Sequence, residues 1–136
     1  MSQPSILIVD DELETVELVR AAFKRQHCTV IGAMNGRDGL RLARKYRPTI
    51  ILIDLMLPGF DGFELCRQLR ADPITAHIPL VILSARESTI DQAEARTAGA
   101  DHYLIKPVRI KTLVGLVEGL IAQNHSRNCL AGASTP

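Results

Sequence analysis

The sequence has 136 residues, of which 46% are hydrophobic and 23% are charged, values that are typical of one globular domain and exclude a disordered chain. Because 16 basic and 15 acidic residues leave a net charge of only +1, we expect no direct binding to nucleic acid. The sequence contains no apolar run of the roughly 20 residues that a membrane span needs and no signal peptide at its start, so we expect a cytoplasmic protein with no membrane contact.

Short apolar runs alternate five times with amphipathic segments, and this alternation predicts a parallel sheet built from βαβ units. The apolar runs are rich in Ile, Val and Leu at consecutive positions, as expected of strands that are covered on both faces. In chain order, we predict strands near residues 5–10, 28–33, 49–54, 80–84 and 102–105.

The segments between the strands have apolar residues at helical spacing. The first of them starts with acidic residues that suit the helix dipole, and its apolar positions include Leu13. The fourth begins at a cap formed by Ser88 or Thr89 and is closed by Gly99. We predict helices at about 12–25, 36–46, 61–71 and 109–122, and the fourth helix from its cap at Ser88 or Thr89 to Ala98.

Residues 123–136 have little apolar content and several small side chains. We therefore predict one domain over residues 1–122, followed by a C-terminal tail or the start of a linker. The sequence leaves open whether the chain is a stand-alone protein or the N-terminal part of a longer one.

Polar residues follow four of the predicted strands at the point where each strand ends: Asp10 and Asp11, then Asp54, then Ser84, then Lys106. The carboxyl ends of parallel strands meet at one edge of the sheet, where open α/β sheets bind ligands. Neighbouring carboxylates raise one another's pKa unless a cation keeps them ionised, and Mg²⁺ prefers such hard oxygen ligands. A hydroxyl and an ammonium beside them suit phosphoryl oxygens, so this edge is predicted to bind phosphate and a divalent metal.

Each of these features has a simpler explanation when it is taken alone. Adjacent aspartates after a strand can serve only as a helix cap, and a Lys-Pro pair can serve only as a turn. The coincidence of all of them at successive strand ends favours the binding site over the separate explanations.

The chain resembles the receiver domain of two-component response regulators, the CheY-like family, over roughly residues 4–122. The motifs that carry the resemblance are Val9–Glu12, Asp54–Gly62, Leu83–Ala85 and Ala98–Pro107. The resemblance implies a flavodoxin-like α/β fold, in which a doubly wound parallel sheet of five strands in the order 2-1-3-4-5 is flanked by five helices.

Carried over to this sequence, the resemblance makes Asp54 the phosphoacceptor. It implies that Asp11 and Asp54 bind Mg²⁺, or Mn²⁺, directly. The backbone carbonyl of Met56 would complete the ligands from the protein, and Asp10 would act mainly through water.

The resemblance also implies that Ser84 and Lys106 bind the phosphoryl group and that the bond before Pro107 is cis. Ser84 and Tyr103 would form the switch. The Ser84 hydroxyl would move towards the phosphoryl group, and Tyr103 would turn into the space that it leaves. The surface of the fourth helix, fifth strand and fifth helix would then change.

The implied phosphodonor is a sensor histidine kinase or a histidine phosphotransfer protein, and the implied recipient of the signal is a downstream effector protein or a fused output domain. A homodimer through the fourth helix, fifth strand and fifth helix is a further expectation. Met56 and Arg86 flank the mouth of the site, where their bulk predicts slow loss of the phosphate by hydrolysis. Such a domain dephosphorylates itself but is not a turnover enzyme.

Two other functions are compatible with part of this pattern. A pseudo-receiver, which binds proteins without being phosphorylated, is disfavoured because the acidic, hydroxyl and lysine positions are all filled. A Mg²⁺-dependent phosphohydrolase with an aspartate nucleophile needs a second aspartate two residues after the first as its general acid. Met56 occupies that position here.

Overall fold

The computed structural model describes residues 3–134, with the side chains of residues 3–123. Five parallel strands form one sheet in the order β2-β1-β3-β4-β5, which confirms the predicted topology. The strands are β1 (Ser5–Val9), β2 (Thr29–Ala33), β3 (Ile50–Asp54), β4 (Leu80–Ser84) and β5 (His102–Ile105). The helices are α1 (Leu13–Phe23), α2 (Gly36–Tyr46), α3 (Gly62–Ala71), α4 (Thr89–Ala98) and α5 (Ile110–Ser134).

The sheet separates two hydrophobic cores, because successive side chains of a strand point to opposite faces. In β1, Leu7 and Val9 face the core that is completed by α2, α3 and α4. Ile6 and Ile8 face the core that is completed by α1 and α5. The central strands are therefore covered on both faces, as their unbroken apolar sequences predicted.

Two helices depart from the prediction. Leu13, whose helical spacing predicts a place on the apolar face of α1, is 62% exposed and is the first residue of that helix. Helix α5 continues to Ser134 rather than ending at 122, so much of the predicted tail or linker (residues 123–136) is helical in its backbone. The side chains of that segment from position 124 onward lie outside the described residues.

Polar side chains cap the helices that flank the candidate site. Asn35 accepts a hydrogen bond from the Asp38 N–H at 2.8 Å and so caps α2. Ser88, rather than Thr89, caps α4 by accepting from the first N–H groups of that helix. Gly99 ends α4 with a φ of +112°, a conformation that glycine adopts without strain.

At the amino-terminal edge of the sheet, Arg70 connects several segments. Its guanidinium donates to the carbonyls of Gly99 at 2.9 Å and of Ala76 and Ile78 at 2.7 Å. It also donates to the carboxylate of Asp101 at 2.8 Å. These bonds tie the end of α3 to the loops before β4 and β5, on the edge opposite the candidate site.

Candidate metal and phosphoacceptor site

Strand pairing brings the predicted site residues to one edge of the sheet. Asp10 follows β1 and donates its backbone N–H to the carbonyl of Ala33, at the end of β2. Asp54 is the last residue of β3, opposite the penultimate residue of β4. Ser84 ends β4, and its carbonyl accepts from the Lys106 N–H at 2.8 Å. The polar strand ends are therefore neighbours because of backbone hydrogen bonding alone.

The acidic residues at this edge form a cluster of four carboxylates: Asp10, Asp11, Glu12 and Asp54. One carboxylate oxygen from each lies within 4.8 Å of the others. Asp10 and Asp54 are buried, whereas Asp11 and Glu12 are exposed. A set of hard oxygen donors at this spacing fits a divalent cation such as Mg²⁺ or Mn²⁺.

Glu12 is the member of this cluster that sequence reasoning missed as a site residue. Its position after Asp11 predicts an acidic residue at the start of the first helix, where a negative charge suits the helix dipole. In the structure Glu12 is the residue before α1, and its side chain makes no cap hydrogen bond. Its carboxylate instead lies 3.7 Å from the Lys106 ammonium.

Lys106 is the cation of the site. Its Nζ lies 3.0 Å from Asp10 Oδ2 and 3.6 Å from Asp54 Oδ2. Burial by itself would lower the pKa of Lys106, but the hydrogen bond to Asp10 and the charges of Asp10, Asp54 and Glu12 raise that pKa above its usual value. Lys106 is therefore a permanent positive charge between the two buried carboxylates.

Asp54 lies in an environment that disfavours its ionised form. Burial is the main cause, and the charge of Asp10 adds to it. The Lys106 ammonium and the Met56 N–H, which donates to Asp54 Oδ1 at 3.2 Å, act in the opposite direction. Together they raise the pKa of Asp54 to about 6, so the carboxylate is ionised at neutral pH but at a cost in free energy. A bound cation would offset that cost.

The backbone of Arg86 links Ser84 to Tyr103. Its N–H donates to Ser84 Oγ at 3.0 Å, and its carbonyl accepts from the Tyr103 hydroxyl at 2.9 Å. Ser84 is buried, and Tyr103 is half-buried against the core under α4. The Arg86 guanidinium lies 3.8 Å from Asp91, in the first turn of α4. The sequence indicates only that the side chain of Arg86 is bulky. The contacts of its main chain cannot be predicted from the type of residue.

The remaining predicted residues lie around the same edge. The bond between Lys106 and Pro107 is cis, which is the isomer that the resemblance implies. The side chain of Met56 is 56% exposed. Gly62, which belongs to a matching motif but had no assigned role, starts α3 against the main chain of β3. A Cβ there would lie 2.8 Å from the carbonyl oxygen of Asp54, so a larger residue would displace the end of the strand.

The fold and the site together define a doubly wound α/β domain with an acidic pocket that contains one lysine. The family model for the response regulator receiver domain matches residues 6–118, and the chain belongs to this family. Receiver domains of this family are components of two-component systems, which confirms the class of protein that the sequence predicted. Among the described residues, we find no helix with the length and apolar character that crossing a membrane requires.

Two curated relatives and one solved structure illustrate the similarity. Transcriptional regulatory protein AfsQ1 of Streptomyces coelicolor is 37% identical over 90% of this chain and 53% of its own length. Protein PilH of Pseudomonas aeruginosa is 36% identical over 86% of this chain and 97% of its own length. The chain therefore spans about half of AfsQ1 and nearly all of PilH.

The solved structure is the receiver domain of a sensor histidine kinase from Pseudomonas aeruginosa, described with a magnesium ion coordinated in the active site cleft. It is 26% identical to this chain, with a TM-score of 0.81 over 89% of this chain and 99% of that one.

Proposed function

We propose that this chain is the phosphoacceptor of a two-component or phosphorelay system. Asp54 accepts a phosphoryl group from a phosphohistidine on a sensor histidine kinase or a histidine phosphotransfer protein. The observation that carries the proposal is the buried Asp54 carboxylate, 3.6 Å from the Lys106 ammonium and within a cluster of four carboxylates.

In this proposal, an oxygen of the Asp54 carboxylate forms a bond to phosphorus as the bond from phosphorus to the histidine nitrogen breaks. The electron pair of the broken bond stays on the imidazole nitrogen. Such transfers pass through a loose transition state that depends on positioning and on neutralisation of charge. Lys106 neutralises charge on the phosphoryl oxygens, and the Ser84 hydroxyl donates a hydrogen bond to one of them.

The residues proposed to hold the divalent cation are Asp11 and Asp54 directly, the backbone carbonyl of Met56, and Asp10 mainly through water. Mg²⁺ or Mn²⁺ would supply positive charge to the phosphoryl oxygens when bound. The cluster of carboxylates supports this assignment, and the magnesium of the similar receiver domain from Pseudomonas aeruginosa is consistent with it.

Incubation with Mg²⁺ and a small-molecule phosphodonor tests the phosphoacceptor. We expect mass spectrometry to detect the gain of one phosphoryl group, and we expect Asp54→Ala or EDTA to abolish it. Glu118→Ala, which removes an exposed carboxylate of α5, is the control that keeps the gain. No gain in the wild type would favour the pseudo-receiver, and a gain that survives Asp54→Ala would move the site. The same measurement followed over time gives the phosphate lifetime, which we expect to be long because Met56 and Arg86 hinder the entry of water.

The proposed output is a change on the surface formed by α4, β5 and α5. The Ser84 hydroxyl moves towards the phosphoryl group, and the main chain of Arg86 carries this movement to the Tyr103 hydroxyl. The three groups already form one hydrogen-bonded series, which supports the coupling. This kind of element is bistable because a new charge at one end favours a second arrangement of the whole series.

The tyrosine side chains offer a direct test of the switch, since the chain contains only two, Tyr46 and Tyr103, and no tryptophan. We expect addition of a phosphate mimic to shift the ring NMR signals of Tyr103. Tyr46 is half-exposed on α2, away from the site, and serves as an internal control whose signals stay unchanged. Unchanged Tyr103 signals in a saturated sample would contradict the coupling.

The other assignments are proposed from the family alone. The signal passes to a downstream effector protein or a fused output domain, and the chain forms a homodimer through α4, β5 and α5. The receiver domain is assigned to residues 1–122, and residues 123–136 to a C-terminal tail or the start of a linker that begins within α5. The protein works in the cytoplasm, dephosphorylates itself and does not turn over substrate as an enzyme.

A further inference from the structure

The β3–α3 loop (residues 55–61) packs against the first turn of α2 through one aromatic ring. A Cβ added to Gly36 would lie 2.6 Å from Phe60 Cε2 and 2.9 Å from two other atoms of that ring. These separations are shorter than real Cβ contacts allow. The Phe60 ring therefore occupies the space that the side chain of any other residue at position 36 would need, and it buries Gly36.

The surface that receives the ring is rigid. Asn35, the residue before Gly36, caps α2 through hydrogen bonds in both directions with Asp38. The Asn35 carbonyl oxygen Oδ1 accepts from the Asp38 N–H at 2.8 Å, and Nδ2 donates to the Asp38 carboxylate at 3.1 Å. Because these bonds fix the first turn of α2, the ring rests on a backbone that cannot easily yield.

The loop is held at its start by Leu55, which is buried. The Leu55 N–H donates to the carbonyl of Leu83 at 3.0 Å, and the Leu55 carbonyl accepts from the Gly62 N–H at 2.9 Å. Leu57 is buried and Phe60 is partly buried, whereas Met56, Pro58 and Gly59 are exposed. Gly59 has a φ of +83°, which turns the chain between the two apolar anchors. At the other end of the loop the Met56 N–H donates to Asp54 Oδ1. The position of the Met56 main chain is thus set by Asp54 and Leu55 on one side and by the Leu57 and Phe60 anchors on the other.

We propose that Gly36 and Phe60 are positioning residues for the divalent cation. Their contact holds the β3–α3 loop in the conformation from which the Met56 carbonyl reaches the cation, although neither residue touches the carboxylate cluster. This inference rests on the proposed function, because it assumes that the cation binds at the cluster with the Met56 carbonyl as a ligand. Groups that orient metal ligands from outside typically change metal affinity by 10- to 100-fold.

Gly36→Ala tests the proposal because the added methyl group must displace the ring. We expect the Kd for Mg²⁺, measured by isothermal titration calorimetry at neutral pH, to rise about tenfold. Gly115→Ala is the matched control: Gly115 is also helical, but a Cβ there meets nothing within 4 Å, so its Kd should equal that of the wild type. Urea unfolding in EDTA, followed by circular dichroism, measures any separate loss of stability.

Phe60→Ala and the double variant Gly36→Ala/Phe60→Ala complete the test. Phe60→Ala should weaken Mg²⁺ binding by itself, and the double variant should bind no more weakly than Phe60→Ala, since no ring is left to displace. A purely structural role would lower the free energy of unfolding and leave the Kd of the folded protein unchanged.

The possible outcomes separate this inference from the proposed function. If the wild type binds Mg²⁺ and both single variants bind it equally well, the positioning role is wrong and the metal site stands. If the wild type gives no binding heat and its NMR signals do not move with Mg²⁺, the metal site itself is wrong and the inference falls with it. If Gly36→Ala does not fold, the Kd of Phe60→Ala decides.

Discussion

Replacement of Lys106 by methionine is expected to slow phosphoryl transfer to Asp54 by about 100-fold or more. This is the usual effect of removing one preorganised group that stabilises the charge of the transition state. The Lys106 ammonium lies 3.6 Å from Asp54 and is held in place by Asp10 at 3.0 Å. Methionine keeps the length of the side chain and removes its charge. The transition state would lose the cation that neutralises the phosphoryl oxygens, while the nucleophile would remain.

The rate is measured with a small-molecule phosphodonor at saturating Mg²⁺, by following the gain in mass over time. Lys111→Met, at an exposed position near the start of α5, is the matched control and should react at the wild-type rate. A wild-type rate for Lys106→Met would mean that the ammonium makes no contact with the phosphoryl group. In that case the role of Lys106 would be confined to its ion pairs with Asp10, Glu12 and Asp54.

The second large effect is a change in the free energy of unfolding. Without metal, the folded protein buries the negative charge of Asp54, and this burial lowers its stability. We expect Asp54→Asn to raise the free energy of unfolding at pH 7 without metal by up to about 3 kcal/mol. This limit is the free energy that corresponds to a pKa raised from 3.8 to about 6. Asparagine keeps the shape of the side chain and removes the charge that burial and Asp10 oppose.

The sign of the pH dependence follows from the same pKa. Between pH 3.8 and about 6 the folded chain holds a proton on Asp54 that the unfolded chain has already released. The contribution of Asp54 to stability is therefore fully present below this window and is lost as the pH rises through it. The advantage of Asp54→Asn over the wild type should be small at pH 4 and should grow up to pH 7.

Urea unfolding at pH 4, 5, 6 and 7, with EDTA and then with Mg²⁺, measures this effect. Asp11→Asn removes an exposed carboxylate of the same cluster and is expected to give a smaller gain. Saturating Mg²⁺ should stabilise the wild type more than Asp54→Asn, because only the wild type keeps the full set of carboxylates. A difference between wild type and Asp54→Asn that is the same at every pH would contradict the raised pKa of Asp54.

Much of the fold could be predicted from the sequence because its strands are buried on both faces. Consecutive apolar residues in β3 and β4 predicted the strands to within a residue, and the glycine and serine signals at Ser88 and Gly99 marked α4 correctly. The proximity of the site residues could also be predicted from the strands. Polar residues at the ends of parallel strands share an edge once the strand order is known, and the resemblance supplied that order.

Other features depended on geometry that no single position reveals. Glu12 was predicted to be the first residue of α1, but the helix starts at Leu13, and Glu12 belongs to the carboxylate cluster. The Arg86 main chain linked Ser84 to Tyr103 through groups that every residue carries. The contact between Gly36 and Phe60 joins segments more than twenty residues apart in sequence, and a glycine gives no sign of what covers it.

The hydrogen bonds of Arg70 also determine how α4 is free to move. Gly99, the residue that ends α4, accepts a hydrogen bond from the guanidinium at 2.9 Å. The first turn of α4 is joined to the segment after β4 by the Arg86–Asp91 pair at 3.8 Å and by a hydrogen bond from Gln92 Nε2 to the carbonyl of Glu87 at 3.3 Å. A movement of the site would therefore rotate α4 about its last residue, which Arg70 holds in place. The largest displacement would occur in the first turn of α4, where the side chain of Ile90 is 76% exposed and available to a partner protein.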